Sequence, residues 1–511
     1  MTGVSMDLFN KPLLYGLLLA APPLLGLFVN VSLCKNKTHL GALASTFGIW
    51  IAFINALIAW FAKLPFYPSQ SLWGIHANEI AWVMATLILF ISAVVHQFSI
   101  RYMAGDRQYR RYFLLLTSIT ISALLMVAAD NAILLVIVWG ISNGLLALLM
   151  MHKSQWMAAK QSAILTLNTL ILGLALLSAG IGLMAFEFNT LSITTIAASE
   201  GSQTTRFMAL SLIILAALAQ SGGWPFHRWV LSSLNSPTPV SALMHAGLVN
   251  GGGFILVSFA PIFLRDQIAL TMLFLLASVS LILGGMWKLV QADVKRMLAC
   301  STMTQLGFMS MQCGLGFFPA ALAHLCWHGL FKAHLFLRSG SAIQDNPQSN
   351  EISINGLFPF LCALGCGTLG VGGFMVGTGL YPHSLETSLI LLFFCWMASI
   401  QLAMSLLAKK FTLFGVLAAC FACLSSGLAY GLTVNVIESA VGSMPISQPQ
   451  PLTGVHVVVT MVVFFVWMIL NVSAFNQYAK TMLWKRLYVV MLNASQPHPS
   501  TIAVNTNRYK F

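Results

Sequence analysis

Charge is the scarcest thing in this 511-residue chain: only 7% of its residues are Asp, Glu, Lys or Arg, against 58% hydrophobic. A soluble domain carries roughly 25% charged residues, so no water-facing surface large enough for a soluble fold can be assembled here. Acidic residues are the rarer half, 12 against 25 basic, giving a net charge of +13. Disulfide patterning is also missing. The nine cysteines fall mostly inside apolar runs, where no disulfide framework is expected. Cys420 and Cys423 form a CxxC on an apolar stretch with no histidine or second pair beside it, and a zinc or redox site needs more than that. Helix packing is the expected role of that pair.

What is present is a succession of apolar runs. A helix crosses the hydrocarbon core with about 20 apolar residues. That window predicts an all-α polytopic membrane protein with about 15 spans, near 12–33, 40–62, 80–99, 112–129, 131–151, 161–186, 208–225, 239–264, 267–287, 294–313, 317–337, 354–378, 386–408, 412–434 and 453–474. The first run has one upstream lysine, Lys11, and no soluble region behind it, so it reads as a span and not a cleaved leader.

Basic residues collect on the cytoplasmic side of a membrane protein. With the N-terminus outside and the spans alternating, twenty of the 25 basic residues face the cytoplasm, among them Arg110, Arg111, Lys295, Arg296, Lys409, Lys410, Lys485 and Arg486. Only Lys11, Lys63, Arg206 and Arg265 face out, and Lys332 lies inside a span. The C-terminus is then cytoplasmic. The positive charge is a topology signal facing the lipid bilayer and calls for no nucleic acid. After the last span, AKTMLWKRLYVVML is expected to lie along the inner interface as an anchor or a docking surface. Residues from about Gln496 are expected to be extended.

Ionisable residues inside such spans are costly and mark ion or proton paths. The segment HLCWHGLFKAHLF places His324, His328 and Lys332 four residues apart, on one helix face. The stripe rises ~12 Å. Three readings stand for it. Histidines at i and i+4 can share a metal, but no glutamate lies between them and Lys332 would repel the cation. Histidine changes charge near neutral pH and lysine carries an exchangeable proton, so the row can pass protons along. Neighbouring helices can also simply satisfy the rings. His334 falls off the stripe. A second stretch, AQSGGWPFHRWVLSSLNSPTPVSALMHAGLVNGGG, should break at Pro225, because proline removes a backbone donor. A new helix should start after Pro237 and Pro239 and carry His245 in its second turn. Broken helices line transporter sites. In QADVKRMLACSTMTQLGF, Asp293 and Lys295 stand at the mouth of a helix, either on the same path or as ordinary interfacial charges.

These three stretches resemble the antiporter-like subunits of respiratory complex I, chiefly the chain 5 type, and the related Mrp cation/proton antiporters. The resemblance implies two inverted five-helix repeats, near 110–265 and 266–410, each with a broken helix, followed by an interfacial helix and tail at 475–511. It implies a hydrophilic axis through His245, Lys295, His324, His328 and Lys332. The chain departs from that pattern. Gly140 in VIVWGISNGL stands where those subunits carry glutamate, Gln220 stands where they carry lysine, and VGGFMVGTG offers only Gly377 or Thr378 for a third charged position. The long lateral C-terminal helix of complex I is not expected either.

WPFHRWVLSSLNSPTPVSALMHAGLVNGGGFIL is very similar to the DabB membrane subunits of DAB inorganic-carbon accumulation complexes. That resemblance implies a non-enzymatic subunit in the cell inner membrane. It would energise the uptake of carbon dioxide or bicarbonate by conducting a cation, with protons expected. Its partner would be a large soluble DabA-type subunit holding the zinc, with no cofactor on this chain. The alternatives are a proton-pumping subunit of a complex I-type or hydrogenase complex, and an Mrp-type sodium/proton antiporter module.

Overall fold

A computed structural model describes residues 11–32, 37–66, 71–340, 357–382, 384–408, 411–441, 446–471 and 481–502. Lys409, Lys410 and parts of the 475–511 tail therefore lie outside the described residues. Among those described there is no β-strand, only isolated bridges.

The helices are α1 (Lys11–Ser32), α2 (Thr38–Phe61), α3 (Glu79–Tyr102), α4 (Tyr109–Ala128), α5 (Ala132–Met150), α6 (Met157–Phe188), α7 (Gln203–Ser221), α8 (Thr238–Ser258), α9 (Gln267–Leu289), α10 (Val294–Gly314), α11 (Phe318–Arg338), α12 (Phe358–Thr378), α13 (Ser388–Leu407), α14 (Leu413–Ala440), α15 (Gly454–Asn471) and α16 (Met482–Ala494). Among the described residues twelve of them, α1–α9 and α12–α14, are long and apolar enough to cross a membrane. The expected count of about 15 is not reached on that measure. The apolar stretch of α15 is shorter. α10 and α11 have 21 residues each, but their polar side chains, including His324, His328 and Lys332, lower the mean hydropathy. α11, which carries the polar stripe, and its neighbour α10 thus fail the apolarity test despite their length.

Side-chain caps set many of the helix starts. Asn78, Asn131, Ser202, Asp266 and Asp293 each accept a backbone N–H from the first turn of the helix they precede, satisfying donors that a helix leaves unpaired. The joints gather on two faces. The α9–α10 joint, the α7–α8 joint, the start of α6 and residues 495–501 meet on one, called here the basic face. The bridges Ile75–Ala129, Asn131–Ser192, Phe317–Ser447 and Glu386–Pro451 lie on the other.

The expected break is there. α7 ends at Ser221, where Gly222 takes φ +63°, a conformation that glycine adopts without penalty. The stretch to Pro237 is irregular apart from short turns at Arg228–Leu231 and Ser233–Asn235. α8 then starts at Thr238 with Pro239 in its first turn, a position where the missing N–H costs nothing.

Two features differ from expectation. α8 is itself interrupted, because a 3₁₀ turn at Leu248–Asn250 separates Thr238–Ala246 from Gly251–Ser258. By contrast α12, where the resemblance implies the second broken helix, runs unbroken. It has no interior proline beyond its first turn, and it packs through Gly370, Gly373 and Gly377 against Gly427 and Gly431 of α14. That close approach also gives the α14 CxxC a neighbour invisible in one dimension: Cys366 Sγ of α12 lies 3.5 Å from Cys420 Sγ.

Candidate functional site

At the interruption of α8, backbone carbonyls inside the protein accept side-chain donors from α7 and from α8 itself, that of Leu248 in addition to the Gly251 N–H. Gln220 Nε2 donates to the Leu248 carbonyl at 3.1 Å, and Ser221 Oγ to that of Val249 at 3.1 Å. Asn250 Nδ2 donates to the Ala246 carbonyl at 2.7 Å, while its Oδ1 faces His328 Nδ1 at 3.3 Å. Gly329 lets α11 come this close. A Cβ there would stand 2.8 Å from the Ala246 carbonyl.

The two sides of this interruption have opposite chemistry. On the first side, Gln220 Oε1 accepts from Trp139 Nε1 at 3.0 Å. The positions that the sequence singles out, Gly140 and Gln220, thus sit beside or inside a neutral, internally bonded plug. On the second side stand the titratable groups. Lys332 is completely buried, and its Nζ donates to the Leu298 carbonyl at 3.1 Å. Among the described residues no carboxylate pairs with it, and an ammonium carries three donors. His245 is 1% exposed, and its ring stacks on Phe336 with centroids 4.3 Å apart. His324 and His328 lie nearly parallel at 6.2 Å. Lys295, His245, Lys332, His328 and His324 follow one another within electrostatic reach.

These histidines are poorly satisfied. Both ring nitrogens of His245, Nε2 of His324 and Nε2 of His328 are buried without a protein partner. Buried polar groups are normally paired, so water fits these positions. His96 on α3 shows the alternative. It is equally buried, but its Nδ1 meets the Ser92 carbonyl at 2.8 Å and its Nε2 meets Thr117 Oγ1 at 3.2 Å. One histidine type is therefore built into the fold in two ways.

His324 opens onto a partly open pocket of about 1170 Å³ lined by helices from α9 to α15. Lys288, Gln305, Gln312, Gln401 and Tyr430 supply part of its polar lining, much of the rest is apolar, and no carboxylate of the described residues lines it. Gln312 Nε2 donates to Tyr430 Oη at 3.0 Å, leaving its buried Oε1 without a partner. Lys288 is also within electrostatic reach of Lys332.

Of the residues singled out from the sequence, the structure brings His245, Lys295, His324, His328 and Lys332 into this row. It leaves Asp293 at the basic face, exposed, where its carboxylate accepts the Arg296 N–H at 2.9 Å as the cap of α10. His334 is exposed on another side of α11. Pro225, Pro237 and Pro239 bound the irregular stretch. Asn250, Gln312 and the Leu298 carbonyl were not singled out. The run of three glycines after Asn250 was the available signal: Cβ atoms at Gly251, Gly252 and Gly253 would collide with or crowd α5, α7 and α10. Among the described residues no three histidine, cysteine or carboxylate side chains come together as metal ligands.

Residues 129–422 match the family described as NADH:quinone oxidoreductase/Mrp antiporter, transmembrane region. The chain belongs to this antiporter-like family. Residues 67–113 of this antiporter-like chain further match the chain 5 N-terminus of NADH-ubiquinone oxidoreductase (complex I). It is 35% identical over 396 residues to the probable inorganic carbon transporter subunit DabB1 of Halothiobacillus neapolitanus, covering 72% of this chain and 71% of that protein. To the probable inorganic carbon transporter subunit DabB of Bacillus anthracis it is 40% identical over 276 residues, about half of either chain at 53% each. In three dimensions it resembles a chain of the Mrp complex from Dietzia sp. DQ12-45-1b with a TM-score of 0.66 at 21% identity, over 96% of this chain and 58% of that one. Both the fold and the multi-pass membrane character of an antiporter-like subunit follow.

Proposed function

We propose that this chain is the cation-conducting membrane subunit of an inorganic-carbon uptake complex, and that the cation is a proton. The observation that carries this reading is the row of Lys332, His328, His324 and His245, in which each histidine has at least one buried ring nitrogen without a protein partner and the lysine lacks a carboxylate among the described residues. Such groups in a water-bearing row can accept and release protons in turn. Lys295 stands at the basic end of the row, which is the cytoplasmic end if basic residues mark the inside of the inner membrane. The names of the curated relatives support inorganic carbon as the cargo.

In this reading the two inverted repeats have diverged. The first has kept the break and lost the charges at Gly140 and Gln220, contributing only His245 to the row, and the second supplies the rest of the path. Carbon dioxide hydration belongs to a large soluble zinc-holding partner subunit at the basic face. The chain itself carries no catalytic residue, and the ion gradient supplies the driving force. A redox-driven or Mrp-type antiporter role is the second reading, favoured by the family match. It is weakened by the neutral Trp139–Gln220 pair, because those reactions call for a charged first half.

Labelled inorganic carbon is to be followed in cells lacking carbonic anhydrase, with this chain expressed alone and with its soluble partner. Accumulation that needs both chains and collapses with a protonophore is the expected result. Absence of accumulation with both chains present would overturn the carbon reading and turn attention to quinone-linked and sodium-exchange assays.

A further inference from the structure

The residues from about Gln496 were expected to be extended; of these, the described residues 496–502 are not, while the rest lie outside the described residues. Residues 495–501 read SQPHPST and fold tightly onto the basic face. Ser495 and Thr501 are 1% and 5% exposed. Pro497 and Pro499 fix their backbone φ. His498 Nδ1 pairs with Ser500 Oγ at 2.7 Å, and Thr501 Oγ1 donates to the His498 carbonyl at 2.7 Å. The segment is stiff before it touches anything else.

It touches both halves of the bundle. At the α9–α10 joint, Gln291 Nε2 donates to Ser495 Oγ at 2.7 Å and Arg296 Nη1 to Gln496 Oε1 at 3.4 Å. On the irregular α7–α8 stretch, Ser232 Oγ accepts the His498 N–H at 3.1 Å, and Asn235 Nδ2 donates to the Thr501 carbonyl at 3.1 Å. Asn235 Nδ2 also reaches Ser162 Oγ of α6 at 2.9 Å. Each attachment sits at the root of a helix that carries the row: Arg296 adjoins Lys295 on α10, and Asn235 lies three residues before α8, which carries His245. These two residues come from different helices, so their spacing depends on what holds the roots together.

We propose that Asn235 and residues 495–501 form a positioning clamp that sets the placement of α8 against α10, and thereby of His245 against Lys295. Asn235 is a positioning residue and touches no ion. The proposal rests on the reading of the row as an ion path. An irregular stretch at a break has few helical hydrogen bonds of its own, so its position is set by outside contacts: Ser280 and Trp287 of α9 hold its start, Ser162 of α6 meets its end, and this segment ties that end to the α9–α10 joint.

The test uses the full chain with its soluble partner and two readouts: trypsin cleavage after Lys485 and Arg486, and proton flux in proteoliposomes. The variants are Asn235→Ala, Gln291→Ala and Ser162→Ala. Asn235→Ala and Gln291→Ala should each speed cleavage and lower flux about five-fold, within the range reached by substitutions at coupling positions. Ser162→Ala, which keeps the Asn235–Thr501 bond, should leave both near wild type. An oxidised cross-link between Ser232→Cys and His498→Cys in the Asn235→Ala background should restore flux, which a general loss of folding would not allow. Faster cleavage with wild-type flux, or a formed cross-link with no recovery, would overturn the clamp as a positioning device. Unchanged cleavage in both variants would overturn the clamp itself. If the wild-type chain passes no protons, the ion-path reading fails instead, while the cleavage data still report on the clamp.

Discussion

On the two sides of the α8 interruption the protein solves the same problem in opposite ways. Both sides must deal with backbone carbonyls inside a membrane protein. On the α7 side the donors are neutral, Gln220 and Ser221, and Trp139 completes the set so that few hydrogen-bonding groups are left over. On the α11 side Asn250 caps the Ala246 carbonyl, but its oxygen is turned to His328 Nδ1, and beyond it His328 Nε2, His324 Nε2 and both nitrogens of His245 go without a protein partner. A satisfied site is a structural joint, because every group already has what water would offer. An unsatisfied site inside a sealed protein persists only when something mobile fills it. The contrast teaches that a helix break, by itself, does not mark a path. What marks it is the unpaired chemistry beside the break.

The largest effect that would test this contrast is expected at Lys332. Replacing it with alanine should reduce proton flux in proteoliposomes to that of empty vesicles while the amount of assembled protein stays unchanged. Normal flux through an assembled Lys332→Ala protein would remove the distinction between the two sides. Next comes Gly329→Val. The added carbons must push into the Ala246 carbonyl and Ile91, so α11 separates from α8. Overpacking of this kind destabilises by about 1–3 kcal/mol, visible as a lower Tm in detergent, with flux falling alongside it.

Asn250→Ala should be intermediate. It leaves the Ala246 carbonyl unpaired, at about 1–3 kcal/mol, and deprives His328 of its partner, so both stability and flux drop. Gln220→Leu sharpens the comparison from the other side. It should also cost about 1–3 kcal/mol by leaving the buried Trp139 Nε1–H without its acceptor, yet flux per folded molecule should hold. A Gln220→Leu protein that is stable but passes no protons would mean that the first side conducts after all. The smallest effect is expected for His334→Ala, within about 0.5 kcal/mol as for other exposed positions and with normal flux. It shares a helix with Lys332 but not a face.

Much of this was legible in one dimension. Pro225, Pro237 and Pro239 announce the break because proline lacks a donor, and the four-residue spacing of His324, His328 and Lys332 puts them on one face. Both are local rules of the backbone. Other features were out of reach for equally physical reasons. Leu248–Asn250 reads as ordinary apolar helix, and only its glycine neighbours hint at the crowding that bends it. Asp293 looks like a path residue by charge and place, but the unpaired N–H groups of the first turn claim its carboxylate. The tail after α16 lacks the apolar pattern that predicts packing, and it is held by polar bonds to residues more than 200 positions away.

By itself, the sequence determined that this protein lives in a membrane, where its long apolar stretches lie and which side chains would be costly there, because those facts depend on composition and on spacing along one helix. Only the tertiary structure decided which costly side chains stand together unpaired and which are quietly satisfied. That outcome depends on the partner each polar atom meets across helices, and no rule of local spacing contains it.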